Sequence, residues 1–453
     1  AAAWDSQFGS WEYQAVMNQE KGTEIIVDWE DKTSVRMSAA QLYEVIFDGN
    51  NKWMLSANGT IFTYEHEAVI PGLLKKWYAE RKEMQKKMRE CGDNEIEREY
   101  WDKRQLVKKI NLNSLYGAIL NPGCRFFDIR IGQSVTLTGR CITRHMAGKV
   151  NEIVAGTYDH KGESVVYGDT DSVYFSAFKT LQKEINNGDI PWTKDSVIAL
   201  YDKIADEVNG SFKAFMTKAF HCPATRGEVI AAGREIVASK GLFITKKRYA
   251  VLYYDKEGKR SDTEGKEGKV KAMGLDLKRS DTPVFVQDFL GDILYQVLVG
   301  ATEEQVLKMI TDFRSDFKAR PGWEKGSPKR ANNMTKYTEE EAKKGKTNMP
   351  GHVRASMNWN KCRDMYGDKY SMPITDGAKV IVCKLKSNPL NYTSIAYPVD
   401  EMRIPEWFKE LPFDEAAMES TILDQKIDNL IGVLGWDVQS TETTNTFNKL
   451  FEF

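Results

Sequence analysis

Between Pro71 and Leu120 the chain commits itself to two long helices laid back to back. Leu73, Leu74, Trp77, Met84 and Met88 recur at helical intervals up to about Arg89. Gly92-Asp93-Asn94 breaks the run, a second helical stretch covers about Ile96 to Leu120, and Asn121-Pro122-Gly123 stops it. Two such stretches joined by a tight polar turn predict an αα-hairpin. Its surface is basic: residues 68–121 hold twelve Lys/Arg against eight Asp/Glu, an excess of four positive charges in a chain whose formal net charge is −1. A charge run of this kind is ordinarily a solvated helix face laced with i,i+4 pairs. Charge alone therefore assigns no partner.

The rest of the chain predicts an α+β protein of two or three domains. Its 453 residues are 41% hydrophobic and 28% charged, which excludes disordered and coiled-coil classes. No run of 18 apolar residues occurs, and the start AAAWDSQFGS has neither a basic flank nor an apolar core, so no membrane partner, secretory route or extracellular location is expected. Six cysteines without a C-x-x-C pair read as reduced thiols of a cytoplasmic protein rather than zinc or iron–sulfur ligands. GTEIIVDW predicts a strand, SAAQLYEVIF a short helix, and NKWMLSANGTIFTYE a hairpin turning at Asn58-Gly59. GQSVTLTGRCITRHMAGKVNEIVAG predicts a helix, and SVVYG-DTD-SVYF a second hairpin. EVIAAGREIVASKGLFI and KRYAVLYYD predict further strands, with a charged loop and a short return strand after them. Beyond Leu275 the expectation is mostly helix, interrupted by a basic stretch from Arg320 to Val353 and closing with an amphipathic helix from Asp414 to Leu434.

Two constellations could carry chemistry. Tyr167-Gly168-Asp169-Thr170-Asp171-Ser172 puts two carboxylates one residue apart on a hairpin tip. Hard cations such as Mg²⁺ take such oxygen ligands, and paired ions serve phosphoryl transfer, although Asp is also an ordinary turn residue. On the second helix of the αα-hairpin, Lys109, Asn113 and Tyr116 follow at steps of four and three, so they share one face, with Gly117 beside the tyrosine. A lysine there can neutralise a triphosphate, the tyrosine offers a flat surface to a base pair, and Arg81 on the first helix could add a second cation. A surface lysine and a core tyrosine are the bland alternative.

Taken in order, Lys109-x-x-x-Asn113-Ser114-Leu115-Tyr116-Gly117 followed some fifty residues on by Tyr167-Gly168-Asp169-Thr170-Asp171-Ser172 resembles motifs B and C of family B DNA polymerases, particularly those of T-even-type bacteriophages. The resemblance continues through Gly241, Thr245-Lys246-Lys247-Arg248-Tyr249, Met273-Gly274-Leu275, Asn332-Asn333-Met334-Thr335-Lys336-Tyr337 and the closing Leu450-Phe451-Glu452-Phe453, covering about residue 50 onward. It implies a right-hand architecture: an N-terminal segment completing part of the palm (1–67), fingers (68–121), an antiparallel palm sheet (122–274), a mostly helical thumb (275–440) and a tail with a clamp-binding peptide (441–453). By the same resemblance Asp171 would bridge two Mg²⁺ with Asp169 beside them and Glu235 in their outer shell. Lys109 and Arg81 would grip the triphosphate of a dNTP, helped by Asn113, with Tyr116 and Gly117 near the nascent base pair. Lys246, Lys247, Arg248, Tyr249 and Lys278 would hold primer-template DNA, and Leu450, Phe451 and Phe453 would dock on a sliding clamp. The implied setting is the cytoplasm of an infected bacterial host.

Three departures stand out. Gln85, with Lys86 beside it, occupies a fingers position where the family pattern suggests a lysine, and Gly233 stands where an acid is expected two residues before Glu235. The family's third carboxylate and its ribose-selecting tyrosine lie in a D-x-x-S-L-Y-P motif upstream of the fingers, and nothing here matches it; Asp28-Trp29-Glu30-Asp31 and Leu42-Tyr43 lack the context. The expectation is a C-terminal catalytic part of a DNA-templated DNA polymerase, without N-terminal and exonuclease domains, that works with an N-terminal polypeptide supplying the missing acid. The alternative is an inert DNA- and clamp-binding fragment. A reverse transcriptase is set aside because those enzymes lack the K-x-x-x-N-S-L-Y-G helix.

Overall fold

A computed structural model describes residues 22, 24–28, 31–45, 52–263, 265–337, 349–438 and 441. The chain divides into two compact units, Ala1–Arg234 and Glu235–Phe453. Both mix helices with small antiparallel sheets, the α+β class expected. Among the described residues no helix is long and apolar enough to cross a membrane.

The first unit opens with β1 (Glu24–Asp28) antiparallel to β2 (Ser34–Ser38). Asp31, one of the weighed acids, accepts from the Thr33 amide at 2.9 Å and forms an ordinary turn, while Trp29 and Glu30 lie outside the described residues. Ser38 and Gln41 form a capping box that starts the single turn Ala39–Tyr43. β3 (Trp53–Leu55) and β4 (Ile61–Thr63) make the expected hairpin, with Gly59 at φ +81°, and Ser56 and Ala57 bond across to Ser134 and Thr138.

Helices α1 (Val69–Glu90) and α2 (Glu95–Ile119) form the αα-hairpin. No residue of α1 is fully buried, and only Ile119 of α2 is. The pair is thus an arm whose apolar residues cover one another instead of a shared core. α3 (Ile129–Ala155) follows, capped by Asp128 and closed by left-handed Gly156. It packs on α4 (Lys194–Phe220) through Val150, Ile204, Val208 and Phe212. α4 is absent from the sequence expectations, although Val197, Ile204, Val208, Phe212 and Met216 keep helical spacing behind a Thr193 capping box. β5 (Val165–Asp169) and β6 (Ser172–Phe175) form the second hairpin.

In the second unit β7 (Ile236–Thr245), β8 (Arg248–Lys256) and β10 (Lys269–Met273) run in the order β10-β8-β7, with the two-residue β9 (Lys259–Arg260) beside β8. The expected strand across Glu228–Ile244 begins only at Ile236; Val229 ahead of it is 82% exposed. α5 (Val284–Val299) and α6 (Glu303–Ala319) are the expected helices. Helix predominates in the remainder, as expected, but with one unexpected sheet: β11 (Ser327–Ala331), β12 (Ala378–Lys384) and β13 (Ser394–Pro398) form a three-stranded sheet covered by α7 (Gly351–Met365). Local periodicity could not reveal it, because Ser327 pairs with Val382. The closing helix is real but interrupted by a π-helical turn at Ser420–Asp424. One core holds Ala250, Leu252, Leu290, Trp359 and Ile427 together, so residues 235–274 share their core with the segment that follows, and the break between the two compact units falls at Arg234/Glu235.

Candidate functional site

The acidic hairpin is a two-residue loop. Asp169 pairs with Ser172 across it, leaving Thr170 and Asp171 at the tip. Thr170 takes φ +48°, unusual for a β-branched residue, and the Asp171 amide bonds the Asp169 carbonyl oxygen at 2.6 Å. The tip is braced from outside: the Thr143 hydroxyl on α3 donates to the Thr170 carbonyl oxygen at 2.8 Å. Ser172 donates its hydroxyl to the Asp169 carbonyl oxygen at 3.2 Å, and Thr170 donates to the Asp169 carboxylate at 3.1 Å. Asp169 is half-buried and Asp171 exposed, and neither carboxylate forms an ion pair among the described residues. Thr143 lies 27 positions before Thr170, and no local signal connects the two in sequence.

Two unpaired carboxylates are the right donor chemistry for Mg²⁺. They are a partial set, since among the described residues no group of three or more His, Cys, Asp or Glu is placed to hold a metal ion.

On the αα-hairpin the structure sorts the lysines. Lys87 pairs with Glu83, Lys103 with Glu99 and Lys86 with Glu90, all at i,i+4, while Lys108 reaches Glu80 on α1 at 2.5 Å and holds that carboxyl below its usual range. For the three i,i+4 pairs the solvated-face account is correct, whereas Lys108 is spent on holding the two helices together. Lys109 is different, being exposed with no partner among the described residues. Asn113 and Gly117 are exposed one and two turns further on, with open space where a Gly117 Cβ would stand. Tyr116 is half-buried and donates its hydroxyl to the Gly132 carbonyl oxygen at 3.3 Å, pinning α2 to α3. Arg81 bonds Gln105 at 3.2 Å, which joins the two helices and half-buries the guanidinium.

A second feature of this unit had no sequence signal beyond a lone histidine. His145 is buried between α3 and α4, its Nδ1 2.9 Å from the Tyr158 hydroxyl and its Nε2 2.9 Å from Ser211 Oγ, and it stacks on Phe215 with 4.0 Å between ring centroids. Ser211 spends its proton on the Val208 carbonyl, so the network assigns the hydrogen to Nε2 and leaves Nδ1 to accept from Tyr158. Burial pushes the imidazole down to about 4.

In the second unit Glu235 forms an ion pair with Lys271 at 2.8 Å. Lys246 and Lys247 are the two loop residues between Thr245 and Arg248. Lys246 and Lys278 are exposed, Arg248 is half-buried, and Tyr249 is buried against Phe243. Leu450, Phe451 and Phe453 lie outside the described residues.

Comparison with known proteins supports the resemblance in part of the chain: residues 22–219 match the model of DNA polymerase family B. The chain is similar to phage polymerases, being 32% identical over 307 residues to the DNA-directed DNA polymerase of Escherichia phage RB69 and 28% over 314 residues to that of Enterobacteria phage T4. Each match covers 65% of this chain but 33% of the relative, so the chain spans about a third of their length. A more distant relative is the DNA polymerase delta catalytic subunit of Oryza sativa subsp. japonica, 27% identical over 252 residues, 55% of this chain and 20% of that protein.

Proposed function

We propose that this chain is the C-terminal catalytic part of a DNA-templated DNA polymerase, adding dNTPs to a primer 3′-hydroxyl. The observation that carries the reading is the braced tip of β5–β6, which presents Asp169 and Asp171 with no cation paired to them among the described residues. In this reading α1–α2 are the fingers, the segment 122–274 the palm, 275–440 the thumb, and residues 1–67 an N-terminal part of the palm. Asp169 and Asp171 would hold Mg²⁺, which when bound supplies positive charge to the attacking and leaving oxygens. Lys109, with Arg81, neutralises the triphosphate while the 3′-oxygen bonds to the α-phosphorus and pyrophosphate departs. Tyr116 stays fixed by its bond to Gly132 and offers its ring to the nascent base pair. Lys246 to Tyr249 and Lys278 take the primer-template.

The missing acid comes, in this proposal, from polypeptide outside these 453 residues carrying a D-x-x-S-L-Y-P motif. Support comes from the incomplete carboxylate set and from β5–β6 standing as a two-stranded sheet with Val166 52% exposed. Two-stranded sheets are marginal alone and their open edges invite pairing. The interface should be obligate and bury above about 2,000 Å². The test is primer extension by the purified chain with and without that polypeptide. Activity only on mixing supports the proposal, template-directed synthesis by the chain alone removes the missing-acid claim, and none under either condition favours an inert DNA- and clamp-binding role.

A further inference from the structure

The turn between β7 and β8 is held by residues that no DNA-binding role has been assigned to. Lys247 sits at φ +64°, a left-handed conformation that a lysine enters only when something holds it there. Against its carbonyl lies Gly274, the residue after β10, itself at φ +65°: a Cβ built on Gly274 would stand 2.0 Å from the Lys247 carbonyl oxygen. Only a glycine lets the two backbones meet so closely. The next residue of the turn is clamped as well. Arg248 donates to the Asn429 carbonyl oxygen at 3.2 Å and lies 3.9 Å from Asp276, which also accepts from the Asn429 amide at 3.2 Å and from Lys426 at 3.4 Å. Lys426 is buried and is fixed in turn by Thr282 at 2.9 Å. The arrangement leaves Lys246 exposed at a tip whose direction is set by its neighbours, with no partner among the described residues.

We propose that Gly274 and Asp276 are positioning residues for Lys246, aiming its ammonium at a phosphate of a bound nucleic-acid backbone; this rests on the reading of the turn as a DNA-binding element. Gly274 acts by seating the Lys247 carbonyl, and Asp276 by locking Arg248 to the terminal helix. Neither touches DNA.

The experiment is fluorescence anisotropy of the full chain with a labelled primer-template, as a function of salt, for wild type, Lys246→Ala, Gly274→Ala, Asp276→Asn and the double variants with Lys246→Ala. Losing one phosphate contact should weaken binding about eightfold at 0.1 M salt and lower the salt slope by about 0.9. Gly274→Ala and Asp276→Asn should each reproduce much of that loss and lower the slope likewise, and adding either to Lys246→Ala should cost clearly less than it does in the wild type. Full additivity, or an unchanged salt slope in the positioning variants, overturns the proposal while leaving the DNA-binding reading intact. If Lys246→Ala binds as wild type with an unchanged slope, that reading of Lys246 fails first, and the proposal with it. Circular dichroism checks folding, and if Gly274→Ala does not fold, the Asp276→Asn cycle decides alone, since the amide keeps the shape of the carboxylate and removes its charge.

Discussion

The hydroxyl of Thr143 donates to the carbonyl oxygen of Thr170 at 2.8 Å, tying the middle of α3 to the tip of the acidic hairpin. Thr170 is the strained residue of that loop, at φ +48°, so the bond holds the backbone at the one place where it would most readily relax. Thr143→Val keeps the shape and removes the donor. It should cost about 1 kcal/mol of stability in chemical denaturation and lower turnover of the assembled polymerase more than its affinity for primer-template. Equal loss in both would mean that the bond supports the fold and not the tip.

Asp171→Ala should abolish extension in the assembled enzyme and leave primer-template binding near normal, since the group acts on the transition state. Asp169→Ala should be damaging by a similar route. Single-turnover extension is the measurement. Retention by Asp171→Ala of more than about a tenth of the wild-type rate would falsify its assignment as a bridging ligand, whose loss should cost several kcal/mol.

Lys109 and Lys103 lie on one helix in different circumstances. Lys103 is tied to Glu99 at 2.7 Å, whereas Lys109 is exposed without a partner among the described residues. Lys109→Ala should raise the nucleotide KM and lower kcat, and Lys103→Ala, six positions away and off that face, should barely change stability and leave kinetics alone. Matching kinetic effects at the two sites would return the whole basic arm to the role of a solvated surface.

His145 makes the first unit acid-sensitive. In the folded chain the imidazole stays neutral down to about 4, while in the unfolded chain it takes a proton near its ordinary 6.5. The unfolded state therefore binds more protons between these values, and stability falls as pH drops from 6.5 toward 4, with no further loss from this group below that. The charges acting on it are Lys149, which opposes protonation, and Glu152, which favours it. Allowing for partial solvent screening, urea denaturation should show about 1 to 3 kcal/mol lost over that range. His145→Gln should flatten the pH dependence while lowering stability at pH 7; an unchanged slope would mean that another group titrates there.

The tail offers a test that needs no geometry. Deleting Leu450 to Phe453 should leave single-nucleotide addition intact and shorten products only when a sliding clamp is present. Product lengths that do not change with clamp would count against a docking peptide.

Much of the molecule is determined by local chemistry, and that part can be read from the chain alone. The αα-hairpin follows from apolar spacing broken at Gly92-Asp93-Asn94, and the acidic tip from β-branched flanks around Asp169-Thr170-Asp171. The shared face of Lys109, Asn113 and Tyr116 is a matter of helical angle. Each is settled within about ten residues, where propensity and turn chemistry dominate. Tertiary structure decided everything that depends on distant partners. Whether a lysine is paired or available turns on contacts such as Lys108 with Glu80, which lies on the other helix. The sheet β11-β12-β13 depends on Ser327 meeting Val382, the neutral state of His145 on its burial, the tautomer on Ser211 arriving from α4, and the seat of Lys247 on the absence of a Cβ at Gly274. No periodicity records such pairings, because it reports which face of an element is apolar and leaves open which surface that face will meet.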